Sequence, residues 1–213
     1  MKDNGFSMDE LLNKYMGSDS DLEIDEEDID SLDESEEQES LDTYAHDDDS
    51  EQSVERTSDS FDVNSFLPSR YDNYVVFDIP SLSKNESFAR LTVAAFVSQL
   101  DPTIEEISDI KQAISEAVTN CCIHAYPDSV GLIRINLVIA EQTLYITVTD
   151  YGVGISDLKQ AMQPLFTTRP DLERSGMGFS FMESFMDRLI VTSGVGNGTT
   201  VCMSKTIIRN YWL

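Results

Sequence analysis

The chain has 213 residues, with 40 Asp plus Glu against 14 Lys plus Arg and a formal charge of −26 at pH 7. Gripping a phosphate backbone takes clustered Lys and Arg, so this acidity excludes nucleic acid as a direct ligand and points to protein partners with basic surfaces. No basic leader precedes an apolar run at the N-terminus and no apolar stretch reaches about 18 residues, so the chain is expected to be neither secreted nor membrane-spanning. Three cysteines, Cys121, Cys122 and Cys202, lie inside apolar patterns rather than at metal-ligand spacing, and the odd count fits a reduced, cytoplasmic setting.

The charge is unevenly spread. Residues 1–70 hold 24 Asp plus Glu against 4 Lys plus Arg, a charge of −20, and the remainder holds 16 against 10, a charge of −6. Residues 1–70 are poor in large apolar side chains outside their two ends and cannot bury enough surface to offset the entropy of ordering. They are expected to form a mostly disordered acidic extension. Near the start, Phe6, Leu11, Leu12, Tyr15 and Met16 recur at helical spacings before Gly17. Residues 6–16 read either as a short helical docking peptide or as a fraying turn that binds nothing, since so short a helix is marginal in water. Runs such as Asp25-Glu26-Glu27-Asp28 and Asp47-Asp48-Asp49 read as a solvated tether. Residues 71–213 are left as one domain of ordinary size.

That domain opens with an alternating β-rich run over 74–79, stopped by Pro80. Ser83 and Glu86 match a capping box, and Phe88, Leu91, Val93, Phe96, Val97 and Leu100 carry a helix to Asp101-Pro102. A second box, Thr103 with Glu106, starts a longer helix. Its apolar positions Ile107, Ile110, Ile114, Ala117, Val118 and Cys121 recur at threes and fours and lay one stripe on a core. Strands over 132–139 and 143–149 follow, separated by a turn at Glu141-Gln142. A short helix is predicted over 156–162, a loop over 164–178, a helix over 179–186, and strands over 189–193 and 199–208 around a glycine turn. Helices packed on one face of a mixed β-sheet give a two-layer α/β sandwich.

Three segments of this domain carry chemistry. Glu116 and Asn120 are four residues apart on one helix face, where a base and a metal-binding amide can enter one pocket. Asp150-Tyr-Gly-Val-Gly154 and Arg174-Ser-Gly-Met-Gly-Phe179 supply backbone without side chains, so that a nucleotide can approach closely. Together they read as an ATP site.

Glu116-Ala-Val-Thr-Asn120, Asp150-Tyr-Gly-Val-Gly154, Pro164-Leu-Phe-Thr-Thr-Arg169 and Ser175-Gly-Met-Gly-Phe179 resemble the asparagine box, first glycine box, lid and second glycine box of the GHKL ATPase/kinase superfamily. Within it the chain is similar to the sporulation anti-sigma serine kinases, from about residue 85 to 206, and residues 1–70 lie outside the resemblance. The resemblance implies a GHKL (Bergerat-type) fold and roles for single residues. Asn120 ligates Mg²⁺ through its amide oxygen, and Glu116 is the general base toward a substrate serine. Asp150 accepts from the adenine amino group, over the glycine turn of Gly152 and Gly154, and Thr200 helps to hold adenine through water. Gly176 and Gly178 cradle the triphosphate at a helix N-terminus, and Arg174 and Ser175 meet phosphate from the lid.

Arg90 falls in the segment where the family contacts its protein partners. His124 and His46 lack the surroundings of a phosphoacceptor histidine. The implied activity is an ATP/Mg²⁺-dependent serine kinase, forming a homodimer, that binds a sporulation sigma factor of the sigma-F type. Its phosphorylation substrate is the anti-anti-sigma factor. The acidic extension leaves open a nucleotide-gated anti-sigma binding module without kinase activity, acting on a different sigma factor. The extension itself reads as an electrostatic competitor, a recruitment arm or an inert tether.

Overall fold

Strands β3 (Leu132–Ala140) and β4 (Thr143–Asp150) form the centre of the sheet as an antiparallel hairpin, in register from Ile133 opposite Asp150 to Ala140 opposite Thr143. Glu141 takes a left-handed φ of 55° in the two-residue turn, and its N–H is held by the Asp72 carboxylate at 2.7 Å. The structure is a computed structural model that describes residues 55–56, 63–127, 129–166 and 176–208. The chain divides into Met1–Glu51 and Gln52–Leu213, and all described residues fall in the second unit. The 6–16 segment and the acidic runs therefore lie outside the described residues.

β2 (Asn73–Pro80) pairs antiparallel with β3 and forms one edge of the sheet. Pro80 is the last residue of that strand, a place where an edge tolerates the missing N–H. On the other side of the hairpin come β6 (Thr199–Thr206), then β5 (Arg188–Ser193), both antiparallel, and finally the two-residue β1 (Glu55–Arg56), parallel to β5. The order β1-β5-β6-β4-β3-β2 is thus mixed, as the pattern predicts, with a single parallel pair.

Helix α2 (Asn85–Val97) starts without the expected box at Ser83. Glu86 donates its N–H to the Ser83 carbonyl at 3.1 Å, while its carboxylate pairs forward with Arg90 at 3.4 Å. The carboxylate that the box needs is therefore engaged one turn ahead. After a 3₁₀ turn, Ser98–Leu100, the chain reverses at Asp101 with φ 55°. The Thr103 box does form: its hydroxyl accepts from Glu106 N–H at 3.1 Å, and its own N–H donates to the Glu106 carboxylate at 2.7 Å.

α3 (Ile104–Asn120) buries Ile110, Ala113, Ile114, Ala117 and Val118 and packs against α2 on one side and α5 (Gly178–Phe185) on the other. α4 (Leu158–Ala161) is a single turn capped by Asp157. The core lies between this helical layer and one face of the sheet, from Ile133, Ile135 and Leu137 through Leu144 and Ile146 to Val201 and Met203.

The opposite sheet face has a cover that the sequence pattern does not announce. α1 (Val63–Phe66) places Phe66 edge-on to Tyr145 at 5.6 Å and beneath the Arg188 guanidinium, and Phe66 and Leu67 are buried. Tyr145 alternates with core-facing Leu144 and Ile146, so α1 sits across the sheet from the other helices. The folded unit thus takes in residues before Tyr71. No helix among the described residues is long and apolar enough to cross a membrane.

Candidate functional site

A cavity of about 340 Å³ opens where the end of α3, the turn after β4, the start of α5 and the start of β6 converge. Asp150, the last residue of β4, lines it and is 4% exposed. Its two carboxylate oxygens have unlike partners. Oδ1 accepts the N–H of Gly152 at 3.0 Å and of Thr199 at 3.2 Å, and Oδ2 faces the Cys121 thiol at 3.7 Å. Burial raises the Asp150 carboxyl above its ordinary range, and the two backbone N–H groups pull it back only in part. Burial, and then the Asp150 charge, push the Cys121 thiol well up, so that it stays a protonated donor.

The loop after Asp150 is locked to the end of α3, which widens into a π-turn, Cys121–Ala125. The Ala125 carbonyl accepts the Val153 N–H at 2.9 Å and fills the space where a Cβ at Gly152 would stand. Only glycine permits that approach. Tyr126 adds a second tie, accepting from Tyr151 N–H at 2.8 Å and donating to the Leu132 carbonyl at 2.6 Å, and burial lifts its phenol to about 12. Gly154 takes a φ of 70°, with the Gly194 carbonyl against its Cα. The two glycine turns are thereby nested.

Glu116 and Asn120 meet α5 at its first residue. A Cβ built on Gly178 would stand 3.0 Å from Glu116 Oε2 and 3.3 Å from Asn120 Oδ1. Asn120, Gly154, Gly176 and Gly178 line the cavity, and Glu116 borders it across Gly178. Among the described residues no side chain caps the start of α5, and its first three residues, Gly178, Phe179 and Ser180, line the cavity.

The structure therefore brings together Glu116, Asn120, Asp150, Gly152, Gly154, Gly176 and Gly178. Arg174 and Ser175 lie outside the described residues, as do residues 167–169 of the predicted lid. Thr200 is turned away: its hydroxyl is 3.1 Å from that of Thr149, and Thr199 lines the cavity in its place. Adjacent strand residues face opposite ways, so the expectation falls one residue off. Arg90 sits on α2, paired with Glu86, and does not line the cavity. Cys121 and His124 also line it. Cys121 is the residue sequence reasoning missed, because it continues the apolar stripe of α3 and reads as core.

Among the described residues no cluster of three or more His, Cys, Asp or Glu could enclose a metal ion. The residues present fit a Mg²⁺ ion delivered with a nucleotide: the Asn120 amide would offer one hard neutral oxygen, with phosphate oxygens and water as the other ligands.

Residues 79–205 match the histidine kinase-like ATPase domain family. The anti-sigma F factor of Caldanaerobacter subterraneus subsp. tengcongensis is 57% identical over 140 residues, 66% of this chain and 98% of that protein. Those of a Geobacillus species and of Clostridium novyi are 52% and 57% identical over 139 and 136 residues, 65% and 63% of this chain, and each is 95% covered. A solved structure of the RsbU and RsbW domains of a Mycobacterium tuberculosis protein covers 65% of this chain and 33% of that one at TM-score 0.48 and 19% identity, too slight a likeness to argue from.

Proposed function

We propose that this chain, which belongs to the anti-sigma F factor family and carries its histidine kinase-like ATPase domain, is an ATP- and Mg²⁺-dependent protein serine kinase that also sequesters a sigma factor of the sigma-F type. The observation that carries this reading is the convergence of Glu116 and Asn120 on Gly178 at the edge of the cavity that Asp150 floors.

Each residue then has a task. Asp150 presents a carboxylate, an acceptor only, to the adenine amino group, and the turn of Gly152 and Gly154 lets backbone pass beside the base. The N-terminus of α5, with Gly176 and Gly178, receives the phosphates, joined by Arg174 and Ser175 from the lid. Asn120 would hold Mg²⁺ through its amide oxygen, where the ion would supply charge neutralisation at the phosphate oxygens. Glu116 takes the proton of the visiting serine hydroxyl as its oxygen bonds to the terminal phosphorus and the bond to the bridging oxygen breaks, leaving ADP.

The serine belongs to the anti-anti-sigma protein. Phosphorylation adds a charge of about −1.5 to −2 and disfavours its docking against an acidic partner, which returns the kinase to sigma. The nucleotide state of the site biases the choice of partner. Arg90, partly exposed on α2, is a contact for these partners. A homodimer is expected of the family, and the exposed Phe88 and Leu91 of α2, with Phe88 packed on Phe77 of edge strand β2, offer it an apolar surface. Three free thiols support a reduced, cytoplasmic setting.

Incubating the full chain with ATP, Mg²⁺ and the anti-anti-sigma protein tests the reading by mass spectrometry. Phosphoserine is expected, with turnover reduced about 10²- to 10⁴-fold by Glu116→Gln and ADP binding retained. Sigma binding without any phosphoserine would favour the second reading, a nucleotide-gated binding module, which the acidic extension ahead of the matched residues 79–205 motivates.

A further inference from the structure

On the reading that Asp150 accepts the amino group of the base, we propose that Cys121 is a positioning residue. Its thiol aims the ligand-facing oxygen of Asp150 and so strengthens the preference for an amino-bearing purine over an oxo-bearing one.

The argument starts from the unlike surroundings of the two oxygens. Oδ1 already receives two N–H donors, from the turns on either side of the site, at 3.0 and 3.2 Å. An oxygen so engaged has little left to offer a third donor. Oδ2 meets the Cys121 thiol at 3.7 Å, with no other partner among the described residues, and is the oxygen free to accept from a ligand. Two donors on one oxygen leave the carboxylate able to pivot about that oxygen, and the thiol fixes the second.

A thiol is suited to this. It is a weak donor, so it orients Oδ2 without occupying it as strongly as a hydroxyl would. Cys121 is itself firmly placed: it is 4% exposed, and its N–H is shared between the carbonyls of Ala117 and Val118. Cys121 lines the same cavity as Asp150. A side chain that only filled the core would affect every nucleotide alike. One that aims Oδ2 affects those whose base carries an amino group at that position.

The test measures dissociation constants of Mg-ADP and Mg-IDP by calorimetry on the full chain, as wild type, Cys121→Ala, Cys121→Val and Cys121→Ser. Cys122→Ala serves as the neighbouring control. The wild type and the control are expected to prefer ADP. Cys121→Ala is expected to lower that preference by about 3- to 10-fold, the effect of one modest hydrogen bond, through weaker ADP binding with IDP unchanged. Cys121→Val, which has no donor and leaves no void, repeats the loss should the alanine variant fold poorly, and Cys121→Ser restores most of the preference. An ADP-to-IDP ratio unchanged in both donor-free variants, or equal weakening of both nucleotides, overturns the inference and leaves the Asp150 reading standing. A wild type that binds both equally overturns the Asp150 reading, and this inference with it.

Discussion

At the residue scale the site is assembled from side chains whose ordinary preferences have been overridden. Gly178 opens a helix, where alanine is favoured over glycine by roughly 1 kcal/mol. It is glycine because a Cβ there would stand 3.0 Å from Glu116 Oε2. Gly178→Ala is therefore predicted to leave the melting temperature unchanged or raised while displacing Glu116 and Asn120. The shift is a few tenths of an ångström, so turnover is predicted to fall by about tenfold or less, below the roughly 10²-fold of a full 1 Å misplacement. Single-turnover phosphotransfer checks this, and full activity in the alanine variant would remove Gly178 from the argument.

Asp150 shows the same trade electrostatically. Its folded-state carboxyl is raised by burial, so the stability it contributes is fully present below the ordinary Asp range and is lost as pH rises through the raised value. Asp150→Asn removes that term. The melting temperature of the variant relative to wild type is predicted to climb as pH rises above the ordinary Asp range near 4. ADP binding should fall by about 10- to 100-fold, because an amide cannot accept from the Gly152 and Thr199 N–H groups and from the base amino group without turning a donor toward one of them. A pH-independent difference in melting would show that Asp150 is not desolvated.

At the element scale, what the sequence made legible followed from periodicity. The stripe of α3 carries one buried face, the apolar runs of β3 and β4 are buried on both faces through 135–139 and 146–150, and the Thr103 box reads directly from its spacing. β6 was legible as a strand but not in its facing. Val201 and Cys202 are both buried, so no alternation separated Thr199 from Thr200. α1 left almost no signal, since its contribution is one aromatic and the following leucine amid acidic and small residues. Yet Phe66 is 3% exposed, against Tyr145 and under Arg188. Phe66→Ala is predicted to destabilise the fold by about 3–5 kcal/mol in chemical denaturation, the usual cost of emptying a buried aromatic site. A loss below about 1 kcal/mol, the scale of a typical surface or peripheral substitution, would mean that α1 is a passive cover.

At the scale of the whole molecule, composition divides the chain by charge near residue 70, yet β1 and α1 lie ahead of that point. Averaged composition cannot locate such a boundary, because Asp59 and Asp62 continue the acidity between two elements that pack. The boundary decides how the extension is tested. Removing residues 1–51 takes away 21 Asp plus Glu and 2 Lys, bringing the charge from −26 to −7, and leaves Phe66 in place. An acidic arm beside a site for a basic partner speeds encounter through long-range attraction, by about tenfold or more at low ionic strength. The truncated chain is therefore predicted to associate with its sigma partner about tenfold more slowly at low salt and at nearly the full-length rate at about 1 M, where the screening length is about 3 Å. Stopped-flow association at both salts, with the melting temperature as a control for folding, separates the possibilities. Equal rates at low salt would make the extension a tether, and faster association after truncation would make it a competitor held against the partner's own surface.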